Sequence, residues 1–366
     1  MNQVLHSMLY EYLCRQSREL VLSGDSRFII FSDLHMGRGN KGDDFLPNAP
    51  LFSRILKDYY LENNWTLILN GDVEELQRNS LEMIIRQWGG IYELFNEFGR
   101  GERLVKITGN HDNKLFSLDY PEELGKIPLC EAVRIRYGEE TILVYHGHQF
   151  SLFFERFNEV LGFFLKYVGN PLQIKNRSAA NSSRRRWEIE KRAYELSREN
   201  RILSIIGHTH RPLFESESKI DSLRFQIETL CQKYLASDVL PAKEVEEQIQ
   251  SLKNQLDYLL RKKGKEAFVT QLYSKGLVVP CLFNSGCIIG KHGLTGIEVT
   301  GNSIALVYWL FETAPPHRGW EKHMDSELLQ GYRSQESPFP SEPRIKRRII
   351  KKDGLRNIFA RLHRLA

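Results

Sequence analysis

Apolar and polar positions along the chain keep two periods. Short β-rich runs at 28–31, 67–69, 104–107, 142–145 and 202–206 are continuously apolar or nearly so. Between them, apolar residues return every three or four positions, the spacing of a helix with one buried face. Residues 3–16 place Val4, Leu5, Met8, Leu9, Tyr12 and Leu13 at that spacing, and 51–61 do the same with Phe52, Ile55, Leu56 and Tyr59. Strands are predicted at 27–32, 65–69 and 104–107, with helices at 75–89 and 91–98. Residues 133–137 and 141–145 flank Gly138-Glu139-Glu140 and read as a hairpin. Strand character returns at 277–283. A second hairpin is expected from 296–299 and 304–310 around Gly301-Asn302. Alternating strands and helices argue for an α/β fold of βαβ units, a largely parallel sheet with antiparallel additions.

Two insertions and a tail interrupt this pattern. Residues 149–200 carry an apolar band from Leu152 to Val168, a break at Pro171, the basic cluster Arg184-Arg185-Arg186 and a predicted helix at 188–199. They form either a helical pair packed on the core or a lid over substrate. In 215–271, Ile220, Leu223, Ile227, Leu230 and Tyr234 step by three and four, as do Val245, Ile249, Leu252, Leu256 and Leu259. That is an antiparallel helical hairpin, able to pack on its own domain, self-associate or dock a partner. The domain expectation is a core of 1–214 and 272–312, the hairpin at 215–271, and a linker with a basic C-terminal tail at 313–366. In that tail Leu355, Ile358, Phe359, Leu362 and Leu365 share one helical face among arginines. A basic amphipathic helix suits an anionic membrane surface or a partner; a nucleic acid and a plain solvated tail are the other readings.

Composition narrows the class. A chain of 366 residues can bury a full α/β core, and a net charge of +5 is too small to dictate a partner. The cysteines are odd in number and scattered, without a C-x-x-C pair, which suits reduced thiols. The N-terminus lacks the apolar core of a secretory signal, and no apolar stretch reaches bilayer length. The expected location is cytoplasmic, with membrane association at the inner face through the tail.

The chemistry lies where the apolar runs stop. Each of five runs gives way at once to Asp, Asn or His: Asp33 and His35; Asp72; Asn110, His111 and Asp112; His146 and His148; His208 and His210. In an open α/β sheet, ligands bind beyond the carboxyl ends of the strands, so these residues converge on one crevice. Oxygen and imidazole donors without thiolates suit manganese, iron or zinc. The candidate donors are too many for one tetrahedral ion and fit two ions sharing a carboxylate.

In order, these blocks are D-x-H (Asp33, His35), G-D-x-x-E (Gly71, Asp72, Glu75), G-N-H-D (109–112), H-G-H (146–148) and G-H-T-H (207–210). The series resembles the calcineurin-like metallophosphoesterases over residues 27–214 and 278–310. That resemblance implies a four-layer β-sandwich flanked by helices, here with helical insertions. It implies a phosphoric ester hydrolase that cleaves a phosphate ester or pyrophosphate bond with a metal-bridged hydroxide. The cofactors would be two divalent ions, manganese first and iron or zinc as alternatives. Asp33, His35 and His210 would hold one ion, Asn110, His146 and His208 the other, and Asp72 would bridge them. His111 would stand near the leaving group and Asp112 would orient it. Glu75 would lie behind the ligands, and His148 would either touch substrate or orient His146. Arg38 and Arg184 are candidate phosphate contacts on charge and position. Within the superfamily the plan is most similar to the UDP-2,3-diacylglucosamine pyrophosphohydrolase-like branch, which also carries a helical lid between its last two blocks. A phosphorylated small molecule or a lipid-linked substrate is therefore expected. G-N-H-D and H-G-H depart from that branch's motifs. The alternatives are a phosphomonoesterase or protein phosphatase, a nuclease or cyclic-nucleotide phosphodiesterase, and a non-catalytic scaffold on the same fold.

Overall fold

The computed structural model describes residues 2–118, 127–151, 183–216, 242–263, 279–290, 293–312 and 343–366, with isolated positions at 223, 227 and 230. Two sheets face each other. The larger runs in the order β12-β11-β10-β2-β3-β4-β5 and the smaller in the order β1-β6-β7-β8-β9. The strands are β1 (Ser17–Val21), β2 (Arg27–Phe31), β3 (Thr66–Asn70), β4 (Leu104–Ile107), β5 (Leu129–Cys130), β6 (Ala132–Tyr137), β7 (Glu140–Tyr145), β8 (Leu203–Ile206), β9 (Leu282–Asn284), β10 (Leu294–Thr300), β11 (Ser303–Phe311) and β12 (Ile345–Gly354). The helices are α1 (Asn2–Arg15), α2 (Ala49–Ile55), α3 (Leu81–Arg100), α4 (Ser183–Asn200), α5 (Ala242–Lys263) and α6 (Leu355–Leu365). This is the layered α/β arrangement expected of the metallophosphoesterase fold.

The central strands β2, β3, β4 and β5 are mutually parallel, as are β7, β8 and β9. Their carboxyl ends therefore lie along common edges. Both faces of β2–β4 are covered. Phe28, Ile30, Ile68, Val105 and Ile107 enter the core shared with the small sheet, while Ile29, Phe31, Leu67, Leu69 and Leu104 pack with α2 and α3. Burial on both faces is why these strands are continuous apolar runs and do not alternate. Leu5, Leu9 and Leu13 turn one face of α1 into the core, and α1 packs on α4.

Helix α3 starts at Leu81, later than the periodicity of 75–89 suggests. Residues 73–75 are already engaged: Met36 donates its amide to Val73 O and Glu75 donates to Met36 O. Ser80 then caps the helix, its hydroxyl oxygen accepting from the Met83 amide. The two helices expected are present as two segments that meet at a kink at Trp88, where the backbone is non-helical and the indole N–H donates to Gly37 O at 3.0 Å. Strand β1 also lies outside the sequence expectation. The apolar band 152–168 and most of the first hairpin helix fall outside the described residues. Helix α5 is present at the position of the second.

The C-terminal boundary needs correction. The sequence places 313–366 outside the core as linker and basic tail. In the structure β12 pairs along β11, and Leu355, Ile358, Phe359 and Leu362 of α6 are buried in the inter-sheet core. Phe359 stacks on Tyr137 at 6.1 Å between ring centres. Arg347 anchors β12 by its ion pair with buried Glu298, whose carboxylate also accepts from Tyr60. The apolar stripe of α6 is thus an internal contact. No helix among the described residues is long and apolar enough to cross a membrane.

Candidate metal centre

The residues after β2, β3, β7 and β8 supply two groups, Asp33, His35 and His210, and Asp72, His146 and His208, and His111 after β4 joins His35 and Glu75 in a third; within each group the donor atoms lie within 4.8 Å of one another. Asp33 Oδ1 lies 3.0 Å from His210 Nε2 and 4.0 Å from both His35 Nε2 and His146 Nε2. Asp72 Oδ2 lies 3.1 Å from His146 Nε2 and 3.9 Å from His35 Nε2, so it sits between the groups. Donors about 2.1 Å from one tetrahedral ion are about 3.4 Å apart, which is the spacing seen here.

Backbone amides fix which carboxylate oxygens remain. The His208 N–H donates to Asp33 Oδ2 at 3.0 Å, and the His111 N–H donates to Asp72 Oδ1 at 2.8 Å. His146 is oriented in the same manner: its Nδ1 donates to the Asn70 carbonyl at 2.8 Å, so Nε2 is left for a ligand. His148 therefore does not orient His146, although its ring lies 5.5 Å from that of His146.

The ligand loops are held in uncommon backbone geometry. Asp33, His35, Asp72, His208 and His210 all have positive φ, half of the non-glycine residues with that feature among those described. Such conformations cost free energy and gather at functional sites. Two glycines admit the close approach. A Cβ on Gly71 would stand 2.4 Å from His146 Nδ1, and one on Gly109 would stand 2.2 Å from Asp72 Oδ1.

The donor set fits divalent cations. Asp33 Oδ1, Asn110 Oδ1 and His146 Nε2 are buried without a hydrogen-bond partner, a costly arrangement that a bound cation relieves. Burial opposes ionisation of Asp33, but the His210 and His146 imidazoles outweigh it and hold the carboxyl at about 2. Asp72 is likewise buried, and His146, His35 and His111 push it well below the carboxylate range. Burial and neighbouring His146 lower His208 to about 3, so it carries the neutral ring that metals bind. Burial, with His146 and His208 close by, also keeps His148 neutral.

One expected role changes hands. Asp112 does not orient His111. Its carboxylate accepts from the Gly109 N–H at 2.6 Å and the Val73 N–H at 2.7 Å, tying two ligand loops together, and burial raises it to about 6. Glu75 does the orienting instead. His111 Nδ1 lies 3.0 and 2.9 Å from its two oxygens, and His35 Nδ1 lies 3.3 Å from one of them. Burial opposes the charge, yet these two imidazoles hold Glu75 at about 2. The His111 ring stands edge-on to His35, 4.7 Å between centres.

Other supports carry no motif. Glu190 of α4 is buried; it accepts from Thr209 Oγ1 at 2.7 Å and pairs with Arg211, gripping the loop that holds His208 and His210. Asn284 donates to both Gly207 O and Thr209 Oγ1 from the other side. Arg38 is exposed in the loop after β2. Arg184 lies in the first turn of α4, its side chain outside the described residues.

The profile of the calcineurin-like phosphoesterases matches residues 26–231. The chain belongs to that family. It is accordingly a metal-dependent phosphoric ester hydrolase. Among solved structures the phosphoesterase is similar to an uncharacterised predicted phosphoesterase from Streptococcus pneumoniae, at 13% identity over 78% of this chain and 89% of that one, TM-score 0.26. It is also similar to Vacuolar Protein Sorting 29 from Cryptosporidium parvum, at 12% identity over 79% and 93%, TM-score 0.30. No curated protein matches it.

Proposed function

We propose that the phosphoesterase uses two divalent ions to hydrolyse a phosphate ester or pyrophosphate bond. The observation that carries this is the placement of Asp72 Oδ2 between the His35 and His146 nitrogens, with separate donor groups on either side. Asp33, His35 and His210 would hold one ion and Asn110, His146 and His208 the other. Bound there, two ions supply Lewis-acid charge for the phosphoryl oxygens and an acidified water. Manganese is the proposed metal on donor type, with iron or zinc as alternatives.

The chain's own residues do the rest. Asp33 and Asp72, each pinned through one oxygen by a backbone amide, are preorganised before substrate arrives. His111 is anchored through Nδ1 on Glu75, which leaves Nε2 to hold or move a proton at the leaving-group oxygen. His148, neutral and beside the second group, would donate to or accept from substrate. The apolar sequence of 153–168 supports a lipid-linked nucleotide-sugar substrate, with the diphosphate at the donors and acyl chains on the insertion.

The test is manganese-dependent hydrolysis of p-nitrophenyl phosphate and bis(p-nitrophenyl) phosphate by wild type and Asp72→Ala. Cleavage of either ester by wild type alone supports the proposal. Equal turnover by the mutant, or turnover unaffected by chelator, overturns it.

A further inference from the structure

The six residues Arg347-Arg348-Ile349-Ile350-Lys351-Lys352 set an aliphatic pair between two basic pairs. They lie on β12, one of the two edge strands of the larger sheet among the described residues. The ladder with β11 slips here: Lys351 pairs with Leu306 and Ile349 with Val307, so Ile350 has no partner across the ladder. Ile349 and Ile350 are 49% and 41% exposed, where β-branched aliphatic side chains are ordinarily covered. Lys346, Arg348, Lys352 and Arg356 are exposed around them. Nearby acids are already engaged: Glu298 with Arg347, Glu312 with Lys346, and Asp353 with Arg361.

We propose that this bulged edge of β12 is a docking surface for an anionic lipid bilayer. Both halves of the chemistry point there. Exposed cations gain from the negative surface of anionic lipids, and a protruding aliphatic pair between them can enter the boundary of headgroup and acyl chain. A nucleic acid would use the cations but give the isoleucines no apolar partner. A second copy of the chain would bring like charges together, and a bulge with edge lysines and arginines resists strand-to-strand pairing. The apolar face of α6, the other candidate for insertion, is buried in the core and is not available. The surface is distinct from the metal centre and stands whether or not the substrate is a lipid.

The experiment is co-sedimentation of the full chain with vesicles of phosphatidylcholine alone and of phosphatidylcholine mixed with phosphatidylglycerol. Binding is expected only to the mixed vesicles and should weaken as salt rises. Arg348→Ala and Lys352→Ala should each lower partitioning about fivefold. Ile349→Ser with Ile350→Ser should lower it roughly tenfold or more. All four positions are exposed, so the thermal midpoint and hydrolysis of a soluble ester should stay unchanged, which separates lost docking from lost folding. No binding to either vesicle overturns the proposal, as does equal binding to neutral vesicles. Binding of duplex DNA unaffected by the isoleucine changes would assign the patch to nucleic acid. Concentration-dependent dimerisation abolished by them would assign it to a second copy.

Discussion

Glu75→Gln separates the orientation of His111 and His35 from everything else at the site. The substitution preserves shape but swaps one carboxylate oxygen for an N–H₂ donor. In the native arrangement both oxygens accept, from His111 Nδ1 at 2.9–3.0 Å and from His35 Nδ1 at 3.3 Å. A glutamine can satisfy one of these imidazoles and must confront the other with a donor. A hydrogen bond to a charged group contributes about 1.5–3 kcal/mol, so losing one corresponds to about 10- to 150-fold. If His111 loses its acceptor, the deficit lies in kcat at saturating manganese. If His35 loses it, the deficit lies in metal affinity, where supporting residues typically matter about 10–100-fold. The assay is turnover of a p-nitrophenyl ester across a manganese titration, which separates the two. The companion is Asp112→Asn. Because Asp112 accepts only backbone amides, it should lower the thermal midpoint and weaken metal binding yet leave kcat at saturating metal within a few-fold. A silent Glu75→Gln beside an Asp112→Asn that loses kcat would refute this division of roles.

The other expectations use the same structure. Truncation before Ile345 removes four buried apolar side chains of α6, at about 1.5–3 kcal/mol each, or about 6–12 kcal/mol together. That rivals a domain's whole stability, so the truncated chain should fail to fold by circular dichroism, whereas a solvated tail would be dispensable. Gly109→Ala should abolish metal binding, since its methyl would overlap Asp72; calorimetric titration with manganese checks it. Glu190→Ala should weaken metal binding about 10–100-fold, with Glu190→Gln intermediate, because the helix releases Thr209 and Arg211. Metal binding should also release protons. Burial favours neutral His146, but the Asp72 and Asp33 carboxylates outweigh it and raise the ring to about 10, so it carries a proton that a bound ion must displace. Affinity should therefore rise with pH, and the calorimetric heat should depend on the buffer's ionisation enthalpy.

The parts of this molecule that are legible in its sequence are those where one physical requirement dominates. Strands buried on both faces had to be apolar throughout, so β2, β3, β4, β7 and β8 announce themselves, and the donors follow each at the strand end. The strands that escape notice, β1, β5 and β12, all lie at sheet edges. Edge strands are half exposed and carry charges such as Arg18, Glu19, Lys346 and Arg348, which blur the alternation. Helix α6 shows its apolar stripe in sequence, but periodicity cannot say whether a stripe faces a membrane or the protein's own core. The exchange between Asp112 and Glu75 has a similar origin. Adjacency in sequence suggested Asp112 as the partner of His111, whereas the loop after β3 brings Glu75 over it in space. Glu190 had no signal at all, being one acid in a helix of alternating charges whose target lies on another loop.

The proposed chemistry requires one chain to hold two ions in the two donor groups. The most direct measurement is metal content per chain by inductively coupled plasma mass spectrometry after manganese loading, for wild type, His210→Ala and His208→Ala. Wild type should carry two ions, and each variant should lose one ion and retain the other. A single ion in wild type, or loss of both ions from either substitution with the fold intact, would contradict that chemistry.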